Sequence, residues 1–301
     1  MNILRLKRVF GESIGDNILM TSFYSFVIIF SVLCIIPFWL VISSSFANET
    51  TLVRYGYTLW PRQWSLAAYR LIFSTDRILN AYQVTIFITI VGTTLAMLVT
   101  SAMSYALSVK TFKFRNRIAF FVYFTMLFSG GLVPFFLLIR QILHLHDSIW
   151  VFIWPSLVNP WNMLLLRNFF GTLPASLSES AKIDGANDIY ILFKIILPIS
   201  LPGIATIGLF YALAFWNEWF RAVLFIDREA LQPLQFLIMQ ITRNMQFAQE
   251  VAVDAGIPPV QLPSHGARMA TATLAIGPVI LFYPFVQKYF VKGLTVGGVK
   301  G

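Results

Sequence analysis

Six runs without an ionisable acid or base mark this chain, at 17–48, 78–109, 118–139, 148–166, 195–217 and 269–287. A helix needs about 17 to 25 apolar residues to cross a bilayer. A charge at the bilayer centre costs about 2.5 to 3.5 kcal/mol, so such runs are where the chain can lie in lipid. The pattern predicts an all-α integral membrane protein of six transmembrane helices. The first two runs exceed one span, so their ends are expected to be interfacial or tilted. Within the second run, Gly92, Ala96, Thr100 and Ser104 recur every fourth residue, a small-residue stripe that lets helix backbones approach closely. Pro134, Pro155, Pro160, Pro202, Pro278 and Pro284 fall within or beside the runs and predict kinked helices.

Composition agrees with the pattern. The chain has 301 residues, 57% of them hydrophobic and 12% charged, against about 25% charged for a soluble domain. Its 29 Phe, 8 Trp and 11 Tyr suit lipid contact and interfacial anchoring. The single cysteine, Cys34, can form no intrachain disulfide and reads as a small buried hydrophobe. The basic residues Arg5, Lys7 and Arg8 before the first run resemble a signal peptide, but that run is about twice the usual 7 to 15 residue core, so a retained helix is expected.

A net charge of +9 does not point to nucleic acid, because no basic patch is interleaved with exposed aromatics. It sets topology instead. Lys110, Lys113, Arg115 and Arg117 crowd the second connection, whereas the third holds only Arg140. With six spans, the amino-terminal basics and Lys288, Lys292 and Lys300 fall on the crowded side. The positive-inside rule therefore makes both termini cytoplasmic, including 1–19, together with the fourth connection, 167–194. The segment 218–268 then faces outward.

The fourth connection carries the most specific signal. LPASLSESAKIDGANDIYILFKIILP (173–198) reads as helix although it lies in a loop. Ser176 and Glu179 are spaced as a capping box after Pro174, and Gly185 supplies a stop. Leu177, Ala181 and Asp184 share one face. A second helix is expected from Asn187 through Phe193 toward Leu197, interrupted by Pro198 and Pro202. A short helix, a sharp turn and a second helix parallel to the membrane suit insertion into a groove on another protein.

Glu179, Ser180 and Ala181, then Gly185, then Ile195, Leu197 and Pro198 resemble the EAA loop of binding-protein-dependent ABC importers, with Ser180 in place of the middle alanine. FSGGLVPFFLLIRQ (128–141), LLLRNFFGTLP (164–174), WNEWF (216–220) and GLTVGGVKG (293–301) are similar to MalG-type carbohydrate permeases, in particular their LplC/YtcP-like branch. The resemblance covers most of the chain except 227–265.

It implies a MetI-like ABC permease fold, a single transmembrane permease domain over 1–301. Core helices would occupy 78–290, a coupling loop 174–194 and an extracytoplasmic segment 218–268. It also implies a non-enzymatic permease subunit of a bacterial inner-membrane importer for a sugar or oligosaccharide. Partners would be a second permease chain, two ATPase subunits that bind ATP and Mg, and a solute-binding protein. By motif position, Glu179, Ser180, Ala181, Asp184, Gly185 and Ala186 would contact the ATPase, and Gly297, Gly298 and Lys300 would reach it from the tail. Glu179 keeps a rival role as a helix cap, and Gly185 a rival role as backbone relief. The outward segment, the family's contact with the binding protein, departs here with Pro258, Pro259, Pro263 and His265.

The other chemistry is sparse. No GxxxxGK(S/T) phosphate loop occurs, so nucleotide is expected on a separate chain. No run carries the mid-membrane carboxylate or histidine of a proton-coupled carrier, which disfavours the alternative of a secondary carrier. Permeases for peptides or other small solutes remain the nearer alternative. Glu218 and Arg221 read as an interfacial pair. His144, His146 and His265 lack the spacing of a metal site. Trp154, Trp161, Trp216 and Asn217 are candidates for the substrate pathway, alongside Trp150 and Trp219, although an aromatic belt places tryptophan at the same depth.

Overall fold

The computed structural model describes residues 14–74, 76–254 and 264–297. Those residues are almost entirely helical, with one isolated antiparallel bridge between Ala47 and Trp64. Helix is what lipid demands of an apolar chain, since it satisfies each backbone N–H and C=O within the segment. Contacts divide the chain into two compact units, 1–74 with 248–274 and 75–247 with 275–301.

In the first unit, helix α1 (Ile14–Ser45) leaves Phe23, Ile28, Phe30 and Leu33 exposed, as suits a surface meant for lipid rather than water. Cys34 is exposed on the same helix, so it faces outward rather than filling a core. Polar groups gather at the end of α1. Ser43 Oγ donates to the Thr58 carbonyl at 2.9 Å, and Ser45 Oγ lies 2.8 Å from the Tyr69 hydroxyl. Asn48 then caps α2 (Glu49–Tyr55) by accepting from Thr50 N–H. The Glu49 carboxylate accepts from the backbone N–H groups of His265 and Gly266, both at 2.9 Å.

The second unit is built on α3 (Arg77–Ser108), and its small-residue stripe is the packing seam. A Cβ on Gly92 would lie 2.7 Å from the Phe215 ring, so only glycine admits that ring. Ala96 is fully buried, Thr100 Oγ1 lies 2.7 Å from the Tyr211 hydroxyl, and Ser104 Oγ donates to the Met163 carbonyl at 2.9 Å. Met163 lies on α6 (Pro160–Gly171), while Tyr211 and Phe215 lie on α8 (Leu201–Trp216). At the other end of α3, Val84 and Ile88 pack with Ile139, Phe152, Phe225 and Phe236.

Three of the predicted runs are broken rather than continuous. The third splits into α4 (Arg115–Leu127) and α5 (Leu132–Leu137), the latter continuing to Ile142 as a π turn, with a 112° bend between the two parts. Gly131, at φ +86, adopts the left-handed backbone that this break requires. The fourth contains Trp150–Ile153, a 3-10 turn at Trp154–Ser156, and α6, which starts anew with Pro160 after the capping Asn159. The fifth bends by 90° between Asp188–Ile199 and α8, where Pro202 can begin a helix but not continue one.

Among the described residues, two helices are long and apolar enough to cross a membrane unaided, and the two bent pairs raise that to four. The breaks fall at or beside Pro134, Pro155, Pro160 and Pro202, where kinked helices were expected. Helix α7 (Ala175–Ile183) lies in the fourth connection. Helix α9 (Leu234–Asp254) occupies the segment after the fifth run, and the sixth run lies inside α10 (Ser264–Gly297).

Candidate functional site

The fourth connection folds into the expected helix, turn and helix, closed by a two-bond C-terminal motif. Gly185 N–H donates to the Lys182 carbonyl at 3.0 Å, and Ala186 N–H donates to the Ala181 carbonyl at 2.9 Å. This Schellman pattern needs a left-handed residue after the cap, and Gly185 supplies it at φ +83. Asn187 Oδ1 then accepts from Tyr190 N–H at 2.8 Å and starts the second helix. That helix runs Asp188–Tyr190, passes through a π turn at Ile191–Ile196 and ends in Leu197–Ile199.

The expected capping box is absent. Helix α7 begins after Pro174 with no side-chain cap, which puts Ser176 inside the helix and leaves Glu179 exposed. Proline at the cap already fixes the extended backbone there, so the Ser176 hydroxyl is not placed to accept a first-turn N–H. Glu179 is thereby free of the capping role weighed against its contact role.

The element has two faces. Ala181 is buried with Tyr105, Leu166, Phe170, Ile191 and Leu192, and Ala186 packs against the same cluster. Ala181 thus faces its own bundle and positions the helix, instead of offering a side chain outward. Ser180, Asp184 and Gly185 are exposed with Glu179. Two large apolar side chains point outward as well, Ile183 at 87% exposure and Ile189 at 70%, with Tyr190 beside them. Motif spacing did not single out these three. The signal available was their position off the face defined by Leu177 and Ala181.

A carboxylate joins the element to the transmembrane core. Asp188 Oδ1 accepts from Lys182 Nζ at 2.9 Å and from the Tyr105 hydroxyl at 3.2 Å. The hydrogen bond from Lys182 is the main cause that holds the Asp188 carboxyl below the usual carboxylate range, helped by the lysine charge and by Tyr105, against partial desolvation. Tyr105 lies on α3, so one side chain bridges the turn of the element and the central helix.

Other sequence candidates are scattered. Trp154 and Trp161 are exposed at 57% and 58%, and Trp154 stands 6.1 Å from Trp150. Trp216 is instead buried, with its Nε1 donating to the Ala275 carbonyl and its ring 6.5 Å from Tyr82. Asn217 donates to the Leu213 carbonyl at 2.8 Å, which ends α8. Among the described residues no ring contact joins Trp154, Trp161 and Trp216. Glu218 does pair with Arg221. His146 lies 3.4 Å from Asp227, and no group of three or more metal-ligating side chains occurs among the described residues. Gly297 closes α10, while Gly298 and Lys300 lie outside the described residues, as do Pro258, Pro259 and Pro263.

Residues 92–296 match the family described as binding-protein-dependent transport system inner membrane component. The polygalacturonan/rhamnogalacturonan transport system permease protein YtcP of Bacillus subtilis is 45% identical over 281 residues, which cover 92% of this chain and 96% of that protein. Protein LplC of the same organism is 40% identical, with 89% and 90% covered. Among solved structures, a bacterial ABC transporter involved in the import of the acidic polysaccharide alginate superposes with a TM-score of 0.81 at 30% identity, covering 93% of this chain and 99% of that one. A helix–turn–helix with one exposed face, braced on a broken-helix bundle, and likeness along nearly the whole chain lead to one assignment: this chain belongs to the inner-membrane permease components of binding-protein-dependent ABC transport systems.

Proposed function

We propose that the chain carries a sugar or oligosaccharide inward as one of two membrane-spanning subunits, with both termini cytoplasmic and α7 docked in a cleft of a partner ATPase. ATP and Mg bind that partner, a second permease chain completes the pathway, and a solute-binding protein delivers the cargo. The carbohydrate assignment is supported by the substrates for which the relatives are named, polygalacturonan and rhamnogalacturonan for one and alginate for another. Peptides and other small solutes are the competing cargo.

The observation that carries the mechanism is the two-sidedness of the coupling element. Its inner side is buried against Tyr105 and Leu166, so it cannot move without moving the bundle. Its outer side presents Ile183, Ile189 and Tyr190, apolar groups that gain by leaving water for a partner's groove. Glu179, Ser180 and Asp184 surround these groups and supply polar contacts. Closure of two ATPase subunits would push this lever, and its hydrogen-bonded link to α3 would pass the displacement on.

The test is a single cysteine at Ile183 in a Cys34→Ser background. The purified complex should crosslink from that position to an ATPase subunit, and Ile183→Asp should weaken ATPase association at least about tenfold while the protein stays inserted. Unchanged association of Ile183→Asp, or crosslinking of position 183 to a reagent confined to the outside, would overturn the docking reading. Uptake assays with neutral glycans, uronic-acid oligosaccharides and peptides then separate the cargo classes.

A further inference from the structure

The segment between α1 and α3 has an unusual charge. Residues 46–74 contain Arg54, Arg62 and Arg70, no lysine, and Glu49 as the sole acid. That acid is already engaged with two backbone N–H groups of α10. In the orientation proposed above this segment lies outside the membrane, where short loops are ordinarily poor in basic residues. Arginine in place of lysine is the choice for planar, two-pronged recognition of carboxylates.

The same segment holds exposed aromatic rings on a pinned scaffold. Trp60 and Trp64 meet edge to face at 5.6 Å, and Phe46 lies 6.2 Å from Trp64 and 5.0 Å from Tyr69. Trp64 is fixed by backbone pairing on both sides, Asn48 N–H donating to the Gln63 carbonyl at 3.0 Å and Ser65 N–H to the Phe46 carbonyl at 2.8 Å. Beside this pairing opens a cleft of about 460 Å³ lined by Phe46, Trp64, Ser65, Leu66, Ala67 and Arg70. The guanidinium of Arg62 lies 4.2 Å over the Tyr55 ring, whereas the backbone N–H of Arg70 donates to the Leu66 carbonyl and its guanidinium has no ion-pair or hydrogen-bond partner among the described residues.

We infer that this cleft is an outer subsite for a carboxylate-bearing sugar. The indole of Trp64 offers the flat apolar surface on which a pyranose ring stacks, the Ser65 hydroxyl is a polar group at its side, and Arg70 supplies the fork for a uronate carboxylate. The volume takes one or two sugar rings. The subsite would receive the end of an acidic oligosaccharide as it leaves the binding protein. This inference rests on the proposed carbohydrate import and orientation, and it narrows the cargo to uronides.

The experiment uses the complete importer in phosphatidylcholine nanodiscs, with no binding protein, and a fluorescently labelled trigalacturonate read by anisotropy. Saturable binding is expected, with Arg70→Gln and Trp64→Ala each weakening it about tenfold, the loss of one charge-assisted hydrogen bond or one stacking surface. An unlabelled neutral trisaccharide should not compete. Arg70→Lys should recover only part of the affinity, since it keeps the charge but loses the fork.

Binding that ignores both variants overturns the inference. So does an Arg70 effect that appears only with anionic lipid in the disc, which would make this a headgroup contact, or only with the binding protein present, which would make it a docking surface. Failure here is distinguishable from failure of the wider reading. An importer that takes up a neutral oligosaccharide but not a uronide sinks the subsite and leaves carbohydrate import standing, whereas one that takes up no glycan sinks both.

Discussion

Gly185 is where backbone and contact roles meet, and the geometry separates them. Its φ of +83 disfavours any side chain, yet a Cβ built there meets no atom within 4 Å. Gly185→Ala should therefore lose only the backbone term, about 1 to 2 kcal/mol by thermal unfolding, with uptake largely kept. Gly185→Asn should lose less, because asparagine tolerates the left-handed region. Gly185→Arg has a backbone cost like that of alanine but projects a long cation from the exposed side of the turn. It should abolish uptake while the protein remains inserted. If the asparagine variant is as inactive as the arginine variant, steric docking is not what this glycine serves. The stop at Gly185 was legible because a left-handed cap is a local requirement that glycine meets by itself. The missing capping box was not, since Ser176 and Glu179 have the spacing but Pro174 takes the cap position.

At the scale of elements, sequence reading succeeded where one helix decides its own fate and failed where a break is made by several residues. Helices α1 and α3 were legible because charge-free length alone sets a span, and the seam from Gly92 to Ser104 followed from a four-residue period. The breaks at Gly131 and Ser200 were not legible as bends of 112° and 90°, since a proline or glycine marks a weak point without fixing its angle. The outward Ile183, Ile189 and Tyr190 escaped for a different reason: periodicity identifies what packs inward, and a partner's groove leaves no trace of that kind.

The seam itself makes a test. Gly92→Ala pushes a methyl into the buried Phe215 ring, so it should destabilise the detergent-solubilised protein by about 1 to 3 kcal/mol. Adding Phe215→Leu should recover part of that loss, and an additive double variant would show that the two residues do not share a contact. The coupling element has a pH signature too. The Asp188 carboxyl is held below the usual carboxylate range, so its contribution is present at neutral pH and is lost as pH falls through that lowered value. Amide-exchange protection over 187–196, corrected for intrinsic rates, should persist from about pH 7 to about pH 5 and fail only in stronger acid. Asp188→Asn should reduce it at neutral pH and make little difference in strong acid, where the parent's carboxyl is already protonated.

For the molecule as a machine, the question is how a push on a cytoplasmic helix reaches the pathway. The family segment begins at Gly92 and spans α3, α6, α7 and α8, which share one cluster of buried side chains. Tyr105 stands at its edge, on α3, with its hydroxyl on the carboxylate that Lys182 also holds. Interdigitated packing already ties α7 to the bundle. The hydrogen bond to a charged acceptor adds a directional link to α3, and one such bond contributes about 1.5 to 3 kcal/mol. Tyr105→Phe removes that bond with almost no change in volume. It leaves Asp188 paired to Lys182 and the cluster filled, so folding and ATPase association should survive. If the bond transmits the stroke, reconstituted complexes of this variant should hydrolyse ATP at a rate near that of the parent while uptake per ATP falls severalfold. Equal losses of hydrolysis and uptake would assign Tyr105 to assembly, and unchanged uptake per ATP would leave the packed cluster as the sole route by which the lever moves α3.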